Sequence, residues 1–212
     1  MVDAFVRLFL GHLFGDFVLQ NSWIAINKVK NKYVLLLHTF IVFLSHLIFV
    51  LGKGFNVVAL FLVSLIWIAH HITDSTKIRS TKFKREKAWI GFVLDQLIHI
   101  VVIFGIASVF PKMDFFIPFK VSVIGIAIIT NAYLYSILAH LVFKPCKPYR
   151  RDIFGYFYRG IMPIIFEISV IFSVVIFLSL PFVVFLYRDK RKEEILSGIL
   201  SIVTTTILGV IV

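Results

Sequence analysis

Long apolar runs separated by short polar segments constrain this chain more than any other feature. A run of about 20 apolar residues lets a helix cross the hydrocarbon core of a bilayer. We predict seven spans: about Val2–Asn21, Tyr33–Leu51, Val57–Thr73, Ala88–Phe110, Val121–Phe143, Ile161–Tyr187 and Ile195–Val212. Of 212 residues, 60% are hydrophobic and 16% charged, which excludes an ordinary soluble domain. The sequence therefore predicts an all-α, polytopic integral membrane helix bundle with six to seven transmembrane helices.

Basic residues lie in clusters between the apolar runs, although the net charge is +11. Loops rich in Lys and Arg face the cytoplasm. The loops after spans one, three and five carry most of these residues, with Arg159 counted among them, so we predict that they are cytoplasmic and that the N-terminus lies outside. The basic cluster at 190–192 falls on the other face and opposes this orientation. No basic-aromatic platform lies outside the loops, so no nucleic-acid partner is expected.

The polar residues divide the chain into two parts. We expect residues 1–110 to form a four-helix membrane core with a polar site, and residues 111–212 to add two to three C-terminal spans. A single cysteine, Cys146, excludes an internal disulfide and a thiolate metal cluster. The oligomeric state is left open.

Histidine and aspartate recur in the first, third and fourth spans at a fixed spacing. The pairs are His12 with Asp16, His70 with Asp74, and Asp95 with His99, and span two adds His38. A spacing of i,i+4 places both members of a pair on one helix face. Ionisable side chains inside a membrane cost a few kcal/mol each, so they are expected to face the bundle interior.

The depth of these residues predicts that they share one pocket. At about 1.5 Å per residue, His38 lies about 9 Å inside Lys32, and Asp95 about 12 Å inside Lys87. Because successive helices alternate in direction, all the pairs fall in the half of the membrane beneath the basic face. Imidazole and carboxylate ligands suit a divalent metal, zinc first and also Mn, Fe, Co or Ni. The candidate ligands for one or two ions are His12, Asp16, His38, His70, Asp74, Asp95 and His99.

Further polar residues surround the predicted pocket. Candidate substrate-binding residues are Gln20, Lys28, Lys77 and Gln96, with the two lysines at the mouth, where they would attract an anionic head group. Gly11 and Gly15 form a small-xxx-small pattern, which predicts a close helix approach. The adjacent His71 is interpreted as a packing residue, and the roles of His46, His140 and Glu167 are left open.

The same residues carry a resemblance to a known family. The stretch G-H-L-F-G-D-F-V-L-Q at 11–20 is followed by Trp23, Lys28 and His38, then by H-x-x-x-D at 70–74, Lys77 and D-Q-x-x-H at 95–99. Over about residues 5–105 this pattern resembles the bacterial and phage membrane proteins of domain of unknown function family 3307. The resemblance implies a polar site embedded in the bacterial cytoplasmic (inner) membrane, without an established activity. A looser similarity links the chain to membrane-bound metal-dependent hydrolases.

Three functions are compatible with these residues. The first is a metal-dependent hydrolase acting on a lipid or lipid-linked substrate, with one of Asp16, Asp74 and Asp95 as general base. The second is a transporter or channel for metal ions or protons. The nearly apolar outer half of spans one to four indicates a dead-end pocket and favours the enzyme. The third is a non-catalytic membrane scaffold.

Overall fold

The computed structural model describes residues 1–54, 56–79, 88–145, 147, 149, 151–168 and 191–211, and nearly all of them are helical. The helices are α1 (Val2–Leu13), α2 (Ser22–Asn27), α3 (Lys32–Phe49), α4 (Val57–Arg79), α5 (Ala88–Ser108), α6 (Phe119–Ile129), α7 (Tyr135–Phe143), α8 (Ile153–Ile168) and α9 (Arg191–Ile211). Wide π-helical turns follow α1 (Phe14–Leu19) and join α6 to α7 (Thr130–Leu134). The predicted all-α class is therefore confirmed.

Asparagine side chains cap three of these helices at the N-terminus. Asn21 accepts a hydrogen bond from the Ile24 amide, Asn31 accepts one from Tyr33, and Asn56 accepts one from Ala59. Each satisfies an amide that has no partner in the first helical turn. These caps fix where α2, α3 and α4 begin, and hence the height of the polar residues along them.

Among the described residues, four helical segments are long and apolar enough to cross a membrane: Lys32–Phe49, Val57–Lys77, Ala88–Ser108 and Phe119–Phe143. They correspond to predicted spans two to five. Large apolar side chains remain exposed along them, as on α3 at Leu36, Leu37, Phe40, Leu44 and Ile48. An apolar surface of this extent matches a hydrocarbon solvent better than water.

The outer predicted spans differ in detail from the helices. The first is interrupted by the π-helical turn and ends at Leu19, and α9 begins at Arg191, ahead of the predicted seventh span. Pro163 lies inside α8, which begins at Ile153, whereas the predicted sixth span started at Ile161. Most of that span, including Pro181, lies outside the described residues. The assignment of Arg159 to a basic loop is wrong, because this side chain is buried within α8.

The chain forms two compact units, Met1–Phe83 with Gly91–Ser122 and Lys84–Ile90 with Val123–Val212. In the first unit, α1, α3, α4 and α5 enclose an apolar core around Leu8, Val63 and Ile103, each at most 1% exposed. The buried Arg7 clamps the segment after α5 by donating to the Ile117 carbonyl at 3.1 and 2.6 Å. This core fills one half of the helix bundle.

The second unit packs α7, α8 and α9 together. Arg159, 1% exposed, donates to the Asn131 carbonyl at 3.2 Å and to Glu194 Oε2 at 2.6 Å. Asn131 in turn donates from its side chain to Thr205 at 2.9 Å. These buried polar contacts tie α8 and the π-helical turn to α9.

Candidate metal centre

Seven histidine and aspartate side chains of the first unit lie buried in the half of the bundle that the apolar core leaves free. His12 ends α1, Asp16 lies in the π-helical turn, and His38 comes from α3. The others lie on α4 and α5, and all seven are at most 8% exposed: His12, Asp16, His38, His70, Asp74, Asp95 and His99. Buried ionisable groups of this number require partners, and many of these partners are other members of the set.

The Asp16 carboxylate is the meeting point of three helices. Its Oδ1 lies 3.2 Å from His38 Nε2 and 3.4 Å from His70 Nε2, and its Oδ2 lies 3.7 Å from His12 Nε2. Ligand atoms about 2.0–2.1 Å from a tetrahedral zinc ion stand about 3.3 Å apart. The two shorter Asp16 distances match this ligand spacing, and the 3.7 Å distance exceeds it.

The imidazole rings themselves form one cluster. Ring centroids lie 4.4 Å apart for His70 and His99, 4.8 Å for His12 and His99, and 5.6 Å for His38 and His70. The rings come from four helices that are distant in sequence. The structure thus brings together the side chains that the sequence placed at one depth.

Small residues make this approach possible. A Cβ atom at Gly15 would lie 2.8 Å from Val42 Cα, and one at Gly11 would lie 2.8 Å from His46 Cα. Only glycine lets the backbones of α1 and its π-helical turn come so close to α3. The predicted small-xxx-small contact is confirmed, and its effect is to place Asp16 against His38.

The donor atoms form three overlapping groups in which all ligand atoms lie within 4.8 Å of one another. The groups are His12 with Asp16 and His70, His38 with His70 and Asp74, and Asp74 with Asp95 and His99. The first and the last of these groups have no residue in common. The side chains present therefore suit one or two divalent ions of the kind that imidazole and carboxylate bind.

A backbone contact determines which ring nitrogen of His99 is available to bind a metal. His99 Nδ1 lies 2.8 Å from the Asp95 carbonyl. Because a carbonyl oxygen only accepts, Nδ1 carries the proton and Nε2 carries the lone pair. Among the described residues, no hydrogen-bond partner reaches this buried Nε2. A ring oriented by one nitrogen with the other left open is the usual arrangement of a metal-ligating histidine.

The two lysines expected at the mouth contact carboxylates of the site. Lys28 Nζ lies 2.9 Å from Asp74 Oδ2, and Lys77 Nζ lies 2.6 Å from Asp95 Oδ2. Among the described residues, the ion pairs of Asp16 are with imidazoles. In the part of the chain that the structure describes, three carboxylates thus face two ammonium groups, and the charge of the third is left for histidine or a bound cation to balance.

The two glutamines differ in position. Gln96 is buried beside the cluster, with its Oε1 3.4 Å from His12 Nε2 and its Nε2 3.4 Å from Asp95 Oδ2. Gln20 follows the π-helical turn and is partly exposed. Gln96 can therefore orient the site, while Gln20 lies at the end of the segment that carries Asp16.

His46 belongs to the cluster, although the sequence did not assign it to the ligand set. It is 1% exposed, its ring centroid lies 6.2 Å from that of His12, and its Nδ1 donates to the Val42 carbonyl. The sequence feature that could have placed His46 in the cluster was its spacing of eight residues from His38. His71, by contrast, contacts the Thr39 hydroxyl at 3.1 Å, which agrees with its interpretation as a packing residue.

Comparison with known proteins adds a family to this geometry. A family model described as a protein of unknown function (DUF3307) matches residues 4–124. The chain belongs to the DUF3307 family. No curated protein and no solved structure matches it. The DUF3307 region includes every residue of the histidine–aspartate cluster, whereas α7, α8 and α9 lie beyond it.

Proposed function

We propose that this DUF3307 protein is a membrane-embedded, metal-dependent hydrolase that acts on a lipid or lipid-linked substrate. One observation carries the proposal: the buried Asp16 carboxylate has imidazole nitrogens from three helices within 3.7 Å. A divalent cation, zinc first and Mn, Fe, Co or Ni as alternatives, would replace these contacts with coordinate bonds.

The charge balance supports a bound cation. Burying a carboxylate costs several kcal/mol unless opposite charge or hydrogen bonds compensate it. Lys28 and Lys77 balance Asp74 and Asp95, but the contacts of Asp16 are to imidazoles. A cation at Asp16 would satisfy both the carboxylate and His70 Nε2, which makes no aligned hydrogen bond among the described residues.

The arrangement further favours two ions. His12, Asp16 and His70 make one group of three donors, and Asp74, Asp95 and His99 make another. Three protein ligands leave a coordination position open, as in catalytic rather than structural zinc sites. His38 Nε2 lies between the groups, 3.2 Å from Asp16 Oδ1 and 3.4 Å from Asp74 Oδ2.

The chemistry that such a centre supplies is Lewis-acid polarisation of a carbonyl or phosphoryl group and acidification of water. Side chains of the protein would supply proton transfer and substrate binding. When a single ion is bound, a carboxylate that does not ligate, among Asp16, Asp74 and Asp95, would accept a proton as general base. Lys77, whose side chain is 47% exposed, would hold the substrate phosphate, with Lys28 beside it.

We also propose that the protein lies in the bacterial cytoplasmic membrane with six to seven spans and its N-terminus outside. The four membrane-length helices and their exposed apolar side chains support an integral position. A substrate that reaches the centre from within the bilayer fits this location. The basic loops support the orientation.

Ion transport through the same residues is the alternative, and the apolar core weighs against it. Leu8 on α1, Val63 on α4 and Ile103 on α5 lie one to two turns from the cluster and are fully buried. A conducting path needs polar groups that continue to the far face. The core instead supports a pocket closed at its inner end.

The test is lipid hydrolysis by the purified full-length protein in vesicles of bacterial polar lipids. Chelator treatment should abolish product formation, and zinc or manganese should restore it, with products identified by mass spectrometry of the lipid extract. Asp74→Asn should be inactive, whereas Asp114→Asn, which changes an exposed carboxylate paired with Lys53, should retain activity. Unchanged lipids together with an ion flux lost in Asp74→Asn would support transport instead.

A further inference from the structure

A second polar cavity lies within the second unit, apart from the residues proposed to bind metal. It has a volume of about 280 Å³, which corresponds to about nine waters at 30 Å³ each. Its walls come from the end of α7, the segment that follows, and the start of α9. The cavity is large enough for a small polar molecule or a lipid head group.

In the described part of the chain, charges of both signs lie around this cavity. Three carboxylates, from Asp152, Glu193 and Glu194, are at most 8% exposed. Lys144 and Lys147 line the same space, and the buried Arg159 holds Glu194 through a 2.6 Å contact. A simple anion in the cavity would meet the three carboxylates, and a simple cation would meet the two lysines. A ligand with separated charges and no net charge has the complementary pattern.

Glu193 and His140 form the acceptor side of the cavity. The Glu193 side chain is 9% exposed, and among the described residues no aligned hydrogen bond reaches its Oε1, although Lys144 Nζ forms an ion pair with it at 3.0 Å. His140 donates from Nε2 to the Lys147 carbonyl, so Nδ1 of the neutral ring is an acceptor, 3.9 Å from the same oxygen. An ammonium group about 2.9 Å from both atoms would satisfy them together.

Hydroxyl groups complete the lining. Tyr149 donates to Ser136 at 3.0 Å, and burial raises the pKa of the Tyr149 phenol, which keeps it a neutral donor. Ser197 lies on the α9 side. The Ser136 hydroxyl accepts the Tyr149 proton and keeps its own for a phosphate oxygen, while the flexible lysine ammonium groups bind phosphate as point charges.

The position of the cavity points to a lipid source for such a ligand. The membrane-length segment Phe119–Phe143 ends one residue before Lys144. Charged residues directly after a span lie at the level of the lipid head groups. The cavity therefore opens where a head group would be presented if this segment crosses a bilayer.

We propose that this cavity binds an ammonium–phosphate zwitterion, the chemistry of an ethanolamine phospholipid head group or of free phosphoethanolamine. The ammonium group lies against Glu193 and His140, and the phosphate lies against Lys144 and Lys147. This site is independent of the metal centre, since its residues belong to the other unit and lie beyond the DUF3307 region.

The test compares lipids retained by the full-length protein in native mass spectrometry. Wild-type protein should retain phosphatidylethanolamine over phosphatidylglycerol by about tenfold, the effect of one charge-assisted hydrogen bond. Glu193→Gln should lose that preference, and Lys144→Gln should weaken the retention of both lipids, because both carry a phosphate. Lys192→Gln, which changes an exposed lysine beside Glu193, should keep both the retention and the preference. The comparison of the two lipids on the wild-type protein tests the proposal even if a variant fails to fold.

Soluble competitors distinguish a phospholipid ligand from free phosphoethanolamine. Displacement of the phospholipid by phosphoethanolamine, but not by inorganic phosphate or ethanolamine alone, supports a zwitterion site that takes the lipid. Binding of free phosphoethanolamine without any lipid preference supports the same site with a soluble ligand. Equal retention of both lipids with no phosphoethanolamine binding, or an equal loss in Lys192→Gln, would overturn the proposal.

Discussion

Replacing Gly15 by alanine tests whether close packing of α1 against α3 builds the metal centre. The added Cβ would lie 2.8 Å from the backbone Cα of Val42, where ordinary contact begins at 3.4 Å. A backbone atom of a buried helix cannot rotate away as a flexible side chain can. The two elements must therefore separate by at least about 0.6 Å, the difference between these two distances.

The separation has two consequences. Overpacking of this kind costs about 1–3 kcal/mol of stability. It also moves Asp16 away from His38, so that their 3.2 Å contact would lengthen to about 3.8 Å, beyond hydrogen-bond range. We expect Gly15→Ala to be less stable than the wild type and to bind divalent metal more weakly.

The measurement is thermal unfolding in detergent, followed by circular dichroism, with metal affinity by titration. At about 2–4 °C per kcal/mol for a chain of this size, the midpoint should fall by about 2–12 °C. Gly105→Ala is the matched control, because no atom lies within 4 Å of its added Cβ. This variant should gain up to about 1 kcal/mol in helix stability. Equal midpoints for the two variants would refute the packing argument.

Three further substitutions test separate parts of the structure. Arg7→Met leaves the Ile117 carbonyl without its donor and should cost about 2 kcal/mol in denaturant unfolding; an unchanged midpoint would show that the clamp is dispensable. Lys77→Met removes the ammonium group from Asp95 and should strengthen divalent-cation binding in calorimetric titration, so weaker binding would contradict the charge balance. Asn131→Ala should cost about 1 kcal/mol by the same unfolding assay because it loses a buried hydrogen bond to α9, and wild-type stability would exclude that contribution.

The central part of the fold was predictable because hydropathy and residue spacing are local properties. Spans two to five follow from apolar runs, and the contact at Gly11 and Gly15 follows from their spacing. The first helix and α8 were harder to predict. The π-helical turn that carries Asp16 has no sequence signal of its own, and Arg159 resembled a loop residue because its partner Glu194 lies 35 residues away.

The sequence predicted which side chains would lie close together, but not which of them contact each other. The i,i+4 spacing and common depth identified residues on four helices, since both follow from helix geometry. Which side chains contact each other depends on how each helix is rotated about its axis, and the spacing of residues within one helix does not reveal that rotation. Thus the shared contacts of Asp16, the pairing of Lys28 with Asp74, and the position of His46 required coordinates.

Metal content of the purified protein tests the central claim most directly. Elemental analysis of wild type, His70→Ala and His71→Ala compares adjacent histidines, one inside two ligand groups and the other bonded to Thr39. We expect one or two divalent ions per chain in the wild type, retained in His71→Ala and lost or reduced in His70→Ala. Wild-type protein that takes up no ion at saturating zinc, or a His70→Ala variant that binds as much as His71→Ala, would contradict the account.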